Sequence, residues 1–225
     1  MLFRSRILDV VGSALGLLLL LPVLVIVAVV IKLDSPGPIF FRQERVGLEG
    51  RSFRIFKFRS MVAGAARIGM ALTVRGDTRI TRVGMFLRSS KLDELPQLIN
   101  VIAGDMSIVG PRPEVPEFMR FYTPDQRAMI LSMRPGITDY AAILFRDESS
   151  LLDRERDPIA VYRREIMPVK FAYYERYSRE IGVLNDLRII LATMLLLVVG
   201  RVPPRLGIEC NLRPPLQKNE AEASM

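Results

Sequence analysis

Val10 to Ile31 reads VVGSALGLLLLLPVLVIVAVVI, 22 residues without a charged side chain. As a helix rising 1.5 Å per residue, the run would be about 33 Å long, enough to cross a hydrocarbon core of about 30 Å. Its length, and the lack of a small-x-small cleavage site after it, argue against a cleaved signal peptide. Two features also argue against a simple span. Arg4 and Arg6 precede the run, while Lys32, Arg42, Arg45, Arg51, Arg54, Lys57 and Arg59 follow it, so positive-inside counting holds both flanks in the cytoplasm. Pro22 sits mid-run, where it cannot donate to the Leu18 carbonyl and its ring favours a kink. The charges alone leave two topologies open. One is a helix that enters a single leaflet, bends at Pro22 and returns; the other is a kinked spanning helix oriented by the C-terminal excess of charge.

The remainder of the 225 residues suits one domain with appendages, large enough to bury a core. With Cys210 the only cysteine, no disulfide can form within the chain, which fits a reducing compartment. A formal charge of +8 points to anionic partners such as phosphate compounds, nucleic acid or acidic headgroups. Histidine is absent, so carboxylates must carry any acid, base or metal chemistry.

After the apolar run, Asp34-Ser35-Pro36-Gly37-Pro38 is turn punctuation, and Gly47 with Gly50 separates two runs rich in Phe, Ile and Val. The pattern predicts a β-hairpin over Ile39 to Val46 and Ser52 to Phe58. Its arginines suit either a solvated sheet edge or contact with lipid phosphates. Arg75 to Lys91 carries five basic residues against one acid. Arg79, Arg82 and Arg88 there are candidates for gripping phosphate, whose oxygens match a guanidinium fork.

The stretch Ser89 to Pro113, SSKLDELPQLINVIAGDMSIVGPRP, sets Asp93 beside Glu94. Ser90 is a plausible N-cap, and Leu92, Leu95, Ile99 and Ile102 recur at helical spacing. The acids then fall in a first helical turn. They could simply complement the helix dipole, worth about 0.3–1 kcal/mol each. Neighbours on a helix also point about 100° apart, so the two could serve different partners around one centre. With arginines upstream and Pro111-Arg112-Pro113 downstream, the arrangement suits a polyanionic substrate and a divalent cation. Hard oxygen ligands without a histidine or cysteine cluster favour Mg2+ over zinc.

The segments SPGPIFFRQERVG, FRIFKFRSM, DTRITRVGMFLRSSKLDELPQLINVIAGDMSIVGPRP, RPGIT and YYERYSREIGVLNDLRIILAT, in this order after an N-terminal membrane run, closely resemble the bacterial sugar transferase family, the monotopic polyprenyl-phosphate phosphoglycosyl transferases. The resemblance covers roughly nine tenths of the chain. It implies transfer of a sugar phosphate from a nucleotide sugar, usually a UDP-sugar, to undecaprenyl phosphate, with release of UMP. This would be the initiating step of a surface glycan pathway such as exopolysaccharide or lipopolysaccharide synthesis. It further implies that Asp93 is the nucleophile of a ping-pong aspartyl mechanism. Glu94 would complete the dyad, binding Mg2+ together with Asp93 or deprotonating the lipid phosphate. Arg88 and Arg112 would hold phosphate groups, with Arg79 and Lys57 as further phosphate-binding candidates.

The fold expected from the resemblance is α+β and α-rich. A compact cytoplasmic core would carry the small hairpin, a re-entrant N-terminal helix broken at Pro22, and amphipathic helices at the membrane interface. Leu21 stands where many relatives have serine, removing a hydroxyl that could satisfy backbone freed by the proline. The expected division is a membrane helix over 1–34, a transferase domain over 35–200 and a partly disordered tail over 201–225. The resemblance implies the small, single-domain form, monotopic in the bacterial inner membrane with its site on the cytoplasmic face. Oligomeric state is open, a homo-oligomer included. Pro168 to Tyr177 mixes aromatics with charge as interfacial segments do, and Ile189 to Val199, too short to span, suits a buried or an in-plane helix equally. Gly136 to Glu155 departs from better-known relatives and is a candidate for nucleotide or sugar choice. A nucleic-acid binder lacks any helix-turn-helix, zinc or RNP-type signature here. A non-catalytic assembly scaffold would have no need of the acid pair with Pro-Arg-Pro.

Overall fold

The apolar run lies within α1, Leu2–Asp34, a helix of 33 residues that continues through Pro22 without interruption. The expected break at the proline is not shown by this continuous helix. In the computed structural model, residues 2–70, 72–152 and 157–208 are described. The far tail with Cys210, where disorder was expected, lies outside them, as do residues 153–156 of the stretch ending at Glu155.

Both ends of α1 are fastened to the same body. At one end, the Arg6 guanidinium donates to the carbonyls of Val101 (2.6 Å), Ile102 (3.1 Å) and Met106 (3.3 Å). The Asp9 carboxylate accepts from the Ile108 N–H at 3.0 Å. At the other end, Val27 and Ile31 pack with Phe58 and Leu87. Arg59, itself buried, donates to the carbonyls of Ser35 (2.6 Å) and Pro36 (2.7 Å). Between these clamps the outer side chains face away from protein, Leu18 being 68 % and Leu19 78 % exposed.

β1, Phe40–Val46, pairs antiparallel with β2, Ser52–Phe58, Phe40 opposite Phe58 and Val46 opposite Ser52. The hairpin thus forms where the alternating runs predicted it, Ile39 alone falling outside. Its arginines divide: Arg42 lies exposed over the Phe56 ring, 3.4 Å from the centroid, while Arg59 turns inward. Three helices follow: α2 (Ala65–Ile68), α3 (Arg82–Ser90) and α4 (Gln97–Ala103). α4 presents Gln97, Asn100 and Val101 inward and leaves Ile99 and Ile102 exposed. The apolar spacing therefore does not mark its buried face. Asn100 ties α4 to the hairpin, its amide oxygen accepting from the Phe56 N–H at 2.8 Å and its amide nitrogen donating to the Arg54 carbonyl at 3.0 Å. These bonds explain why a polar residue occupies the inside.

β3, Ser107–Val109, pairs parallel with β4, Gly136–Thr138. The backbones cross so closely that a Cβ on Gly136 would lie 2.1 Å from the Gly110 nitrogen, and only glycine fits. Between and after these strands run α5 (Pro116–Met119), α6 (Pro124–Leu131), α7 (Tyr140–Leu144) and α8 (Pro158–Val161). A π-helical turn, Tyr162–Ile166, joins α8 to α9, Met167–Glu180, and α10 spans Val183–Val199. Tyr140, Ile166, Tyr174 and Ile189 lie in the largest core cluster. α10 is two-faced: Ile189 and Ala192 face the core, whereas Leu184, Leu187, Leu191 and Met194 form an exposed stripe. Met85 and Phe86 on α3 are also exposed.

Candidate active site

Asp93 and Glu94 lie in a single 3-10 turn, Leu92–Glu94, between α3 and α4. Ser90 is the last residue of α3 and its hydroxyl donates to the Phe86 carbonyl at 2.7 Å, so it caps no helix start. The chain reverses at Lys91, held in the left-handed region at φ 59, a conformation that costs a side-chain-bearing residue about 1 kcal/mol or more. Lys91 sets the turn, and Pro96 opens α4, where a missing N–H is harmless.

The turn gives the two acids opposite surroundings. Glu94 Oε1 accepts from Lys57 Nζ at 2.9 Å and from Arg112 Nη2 at 2.6 Å, and Oε2 accepts from Arg112 Nη1 at 3.1 Å. Burial alone would raise its pKa, but Arg112 and Lys57 outweigh it and hold Glu94 well below the usual carboxylate range. Burial also pushes Lys57 down to about 8, against the pull of Glu94. Asp93 is 5 % exposed, and its Oδ1 is buried with no hydrogen-bond partner. Burial, then the adjacent Glu94 charge, raises its pKa, while Lys57, Arg88 and Lys91 oppose the shift.

Arg112 follows β3 and Gly110. Near it lies Asp139, a buried residue that caps α7 through the Ala142 N–H at 2.6 Å and whose charge interacts with that of Arg112. Arg88, in the last turn of α3, makes one long contact, 3.5 Å to Ser60 Oγ, and so keeps donors for another partner. Arg79 differs. Its five N–H donors go to the Asp77 carboxylate and to the carbonyls of Ala65, Met70 and Leu72. The geometry gives it the task of holding the 65–77 loop, with no donor left for phosphate.

A cavity of about 1560 Å3 is lined by Asp93, Glu94, Lys57, Arg88 and Arg112 together. Sequence reasoning missed further lining residues: Lys91, Arg45 and, from α9, Lys170 and Tyr174. Left-handed Lys91 has no local signal, and Lys170 and Tyr174 share one face of a segment whose mixture of aromatics and charge reads as a surface. Among the described residues no group of three or more His, Cys, Asp or Glu could hold a metal. A divalent cation would have to lean on Asp93 and on substrate oxygens, since Glu94 is already engaged. Mg2+ commonly binds through one or two carboxylates plus substrate phosphates, so the unpartnered Asp93 oxygen fits it.

The sequence profile described as bacterial sugar transferase matches residues 2–200. The chain belongs to the bacterial sugar transferase family. Among curated relatives, a UDP-glucose:undecaprenyl-phosphate glucose-1-phosphate transferase of Caulobacter vibrioides is 46% identical over 142 residues, 62% of this chain and 53% of that protein. A protein of the same description from Escherichia coli K12 is 38% identical over 189 residues, covering 83% of this chain and 38% of that protein. A UDP-N-acetylgalactosamine-undecaprenyl-phosphate N-acetylgalactosaminephosphotransferase of Aeromonas hydrophila is 41% identical over 144 residues, 63% of this chain and 34% of that protein. The matches span about half or less of these relatives' lengths.

Proposed function

We propose that this bacterial sugar transferase moves a sugar phosphate from a UDP-sugar to undecaprenyl phosphate, as the first step of a surface glycan pathway. The observation that carries the reading is the split pair: a buried Asp93 with an unpartnered oxygen and a raised pKa, beside a Glu94 locked as an anion. Environments that push two neighbouring acids apart assign them different roles.

In the proposed reaction an Asp93 carboxylate oxygen attacks the β-phosphorus of the donor, and the bond to the bridging oxygen breaks as UMP leaves. An oxygen of the lipid phosphate then attacks the same phosphorus and releases the Asp93 carboxylate, giving undecaprenyl-diphospho-sugar. Arg88, with free donors, and Lys91 hold the diphosphate. Glu94 acts through Lys57 and Arg112, keeping both cations beside the reacting phosphorus. Held so far below the usual range, it is a poor base for the lipid phosphate. Mg2+, carried by Asp93 and the donor's oxygens, would neutralise charge that otherwise repels a carboxylate nucleophile.

The same proposal places the protein in the inner membrane as a monotopic enzyme. A helix that crossed the bilayer would leave one end far from the domain, yet Arg6 and Ile31 are both tied to it. α1 thus lies within one leaflet, with the exposed apolar residues of α3, α4 and α10 at the interface.

Purified protein given undecaprenyl phosphate and a panel of UDP-sugars should release UMP with at least one of them. No UMP from any donor would leave the scaffold reading standing. EDTA should abolish turnover and added Mg2+ restore it; full activity in EDTA would remove the metal from the reaction.

A further inference from the structure

On its α9 side, the cavity that holds Asp93 carries a polar cluster for which the phosphoryl transfer above has no use. Lys170, 3 % exposed, pairs with Glu148 and donates to the Tyr162 hydroxyl at 3.3 Å. Tyr162 in turn donates to Glu114 at 3.0 Å. One helical turn beyond Lys170, the Tyr174 hydroxyl is buried, lines the same cavity and has no hydrogen-bond partner. A buried phenol left unpaired costs free energy in the absence of a ligand, about 1–3 kcal/mol. The π-helical turn at Tyr162–Ile166 lies immediately before α9, a feature frequent at functional sites.

The charges of this cluster are balanced, with Lys170 answered by Glu148 and with Glu114 also present, so it offers an anion no net attraction. A neutral ligand rich in hydroxyls fits it. The donor offers two such parts, the sugar ring and the nucleoside. Arg112 decides between them: it bonds Glu94, next to the attacking acid, and its charge also acts on Glu148. The sugar is one ester oxygen from the attacked phosphorus, whereas the nucleoside lies beyond the second phosphate.

We infer that Tyr174, Lys170 and Glu148 grip the hydroxyls of the donor's sugar ring and so determine which sugar is accepted. The inference rests on the transferase reading. Sites built to hydrogen-bond a hydroxyl discriminate strongly against donors that misplace it.

The test compares Tyr174→Phe and Glu148→Gln with wild type, using UMP release from UDP-sugars that differ at single hydroxyls and competitive inhibition by UMP alone. The phenylalanine variant removes one oxygen and keeps the ring that fills the core; Glu148 is part-exposed at the cavity edge, so its variant serves should the first unfold. The expected result is a change of about tenfold or more in the kcat/KM ratio between epimeric donors, with UMP inhibition within about twofold of wild type. Equal losses for every donor, unchanged ratios, or weakened UMP inhibition would each overturn the assignment, the last by placing the nucleoside there. A wild-type protein that turns over no UDP-sugar would instead sink the transferase reading, and this inference with it.

Discussion

Two carboxylates in one turn have surroundings that pull their acidities apart, and this difference is measurable. Asp93 has a folded-state pKa above its unfolded value. Between the two values the folded protein holds the proton more often, so stability falls as pH rises through that window, and at neutral pH the ionised acid costs stability. Asp93→Asn removes the charge but keeps the shape. It should abolish turnover and the trapped phosphosugar adduct, yet stabilise the fold by about 1 kcal/mol, or roughly 2–4 °C in Tm. Near-normal turnover in this variant would exclude Asp93 as nucleophile. Lys57 supplies a second reading of the same electrostatics. It is charged below about 8 and loses its proton above, so Glu94 loses one of its two cations as the solution becomes alkaline. The free enzyme's kcat/KM should fall on the alkaline side with an apparent pKa near 8. Lys57→Arg, which stays charged, should move that limb upward; a limb unmoved by the substitution would assign it to another group.

At the scale of elements, α3 is pressed against the strand region through a glycine. A Cβ at Gly84 would lie 1.9 Å from the Ser60 carbonyl oxygen, so Gly84→Ala must displace the helix that carries Arg88. The expected cost is about 2 kcal/mol, or roughly 4–8 °C in Tm, together with at least about a tenfold loss in kcat/KM as Arg88 moves away from Asp93. Wild-type kinetics in a folded Gly84→Ala protein would show that Arg88 has no part in holding the donor. The hairpin was legible in the sequence because alternating apolar residues and two glycines mark both strands and turn. The turn that presents the acids was not. Ser90 looks like a helix start, but Lys91 adopts a conformation that local sequence does not advertise. Arg79 and Arg88 look alike on the page, and only the carbonyls of a distant loop distinguish the structural one from the free one. Ile99 and Ile102 have the spacing of a core yet lie outside, because Asn100 is needed inside to bond the hairpin.

For the whole molecule, the decisive relation is between α1 and the domain. With both of its ends fastened to one body, residues before and after the apolar run share a side of the membrane in the proposed placement. Arg4→Cys in a Cys210→Ser background should be labelled by an impermeant thiol reagent from the cytoplasmic side alone. Labelling from the periplasmic side alone would make α1 a span, while leaving the chemistry of the acid pair untouched. The basic flanks left a re-entrant and a spanning helix equally open in the sequence; what local sequence does not advertise is the set of clamps at Arg6, Asp9 and Arg59 that ties both ends of α1 to one body.

Those clamps also impose an order of events during synthesis. Arg6 meets its first carbonyl 95 residues later in the chain, and Asp9 its amide 99 residues later. At about 5–20 residues per second, the N-terminal end of the nascent helix waits roughly 5–20 s for its partners, whereas Val27 and Ile31 meet Phe58 sooner. The outer apolar face around Leu18 and Leu19 has only lipid or a chaperone to cover it in that interval. In the proposed placement the chain would reach the bilayer while Asp93 and Glu94 are still unmade, and the turn that carries them would be assembled on a helix already in its final solvent.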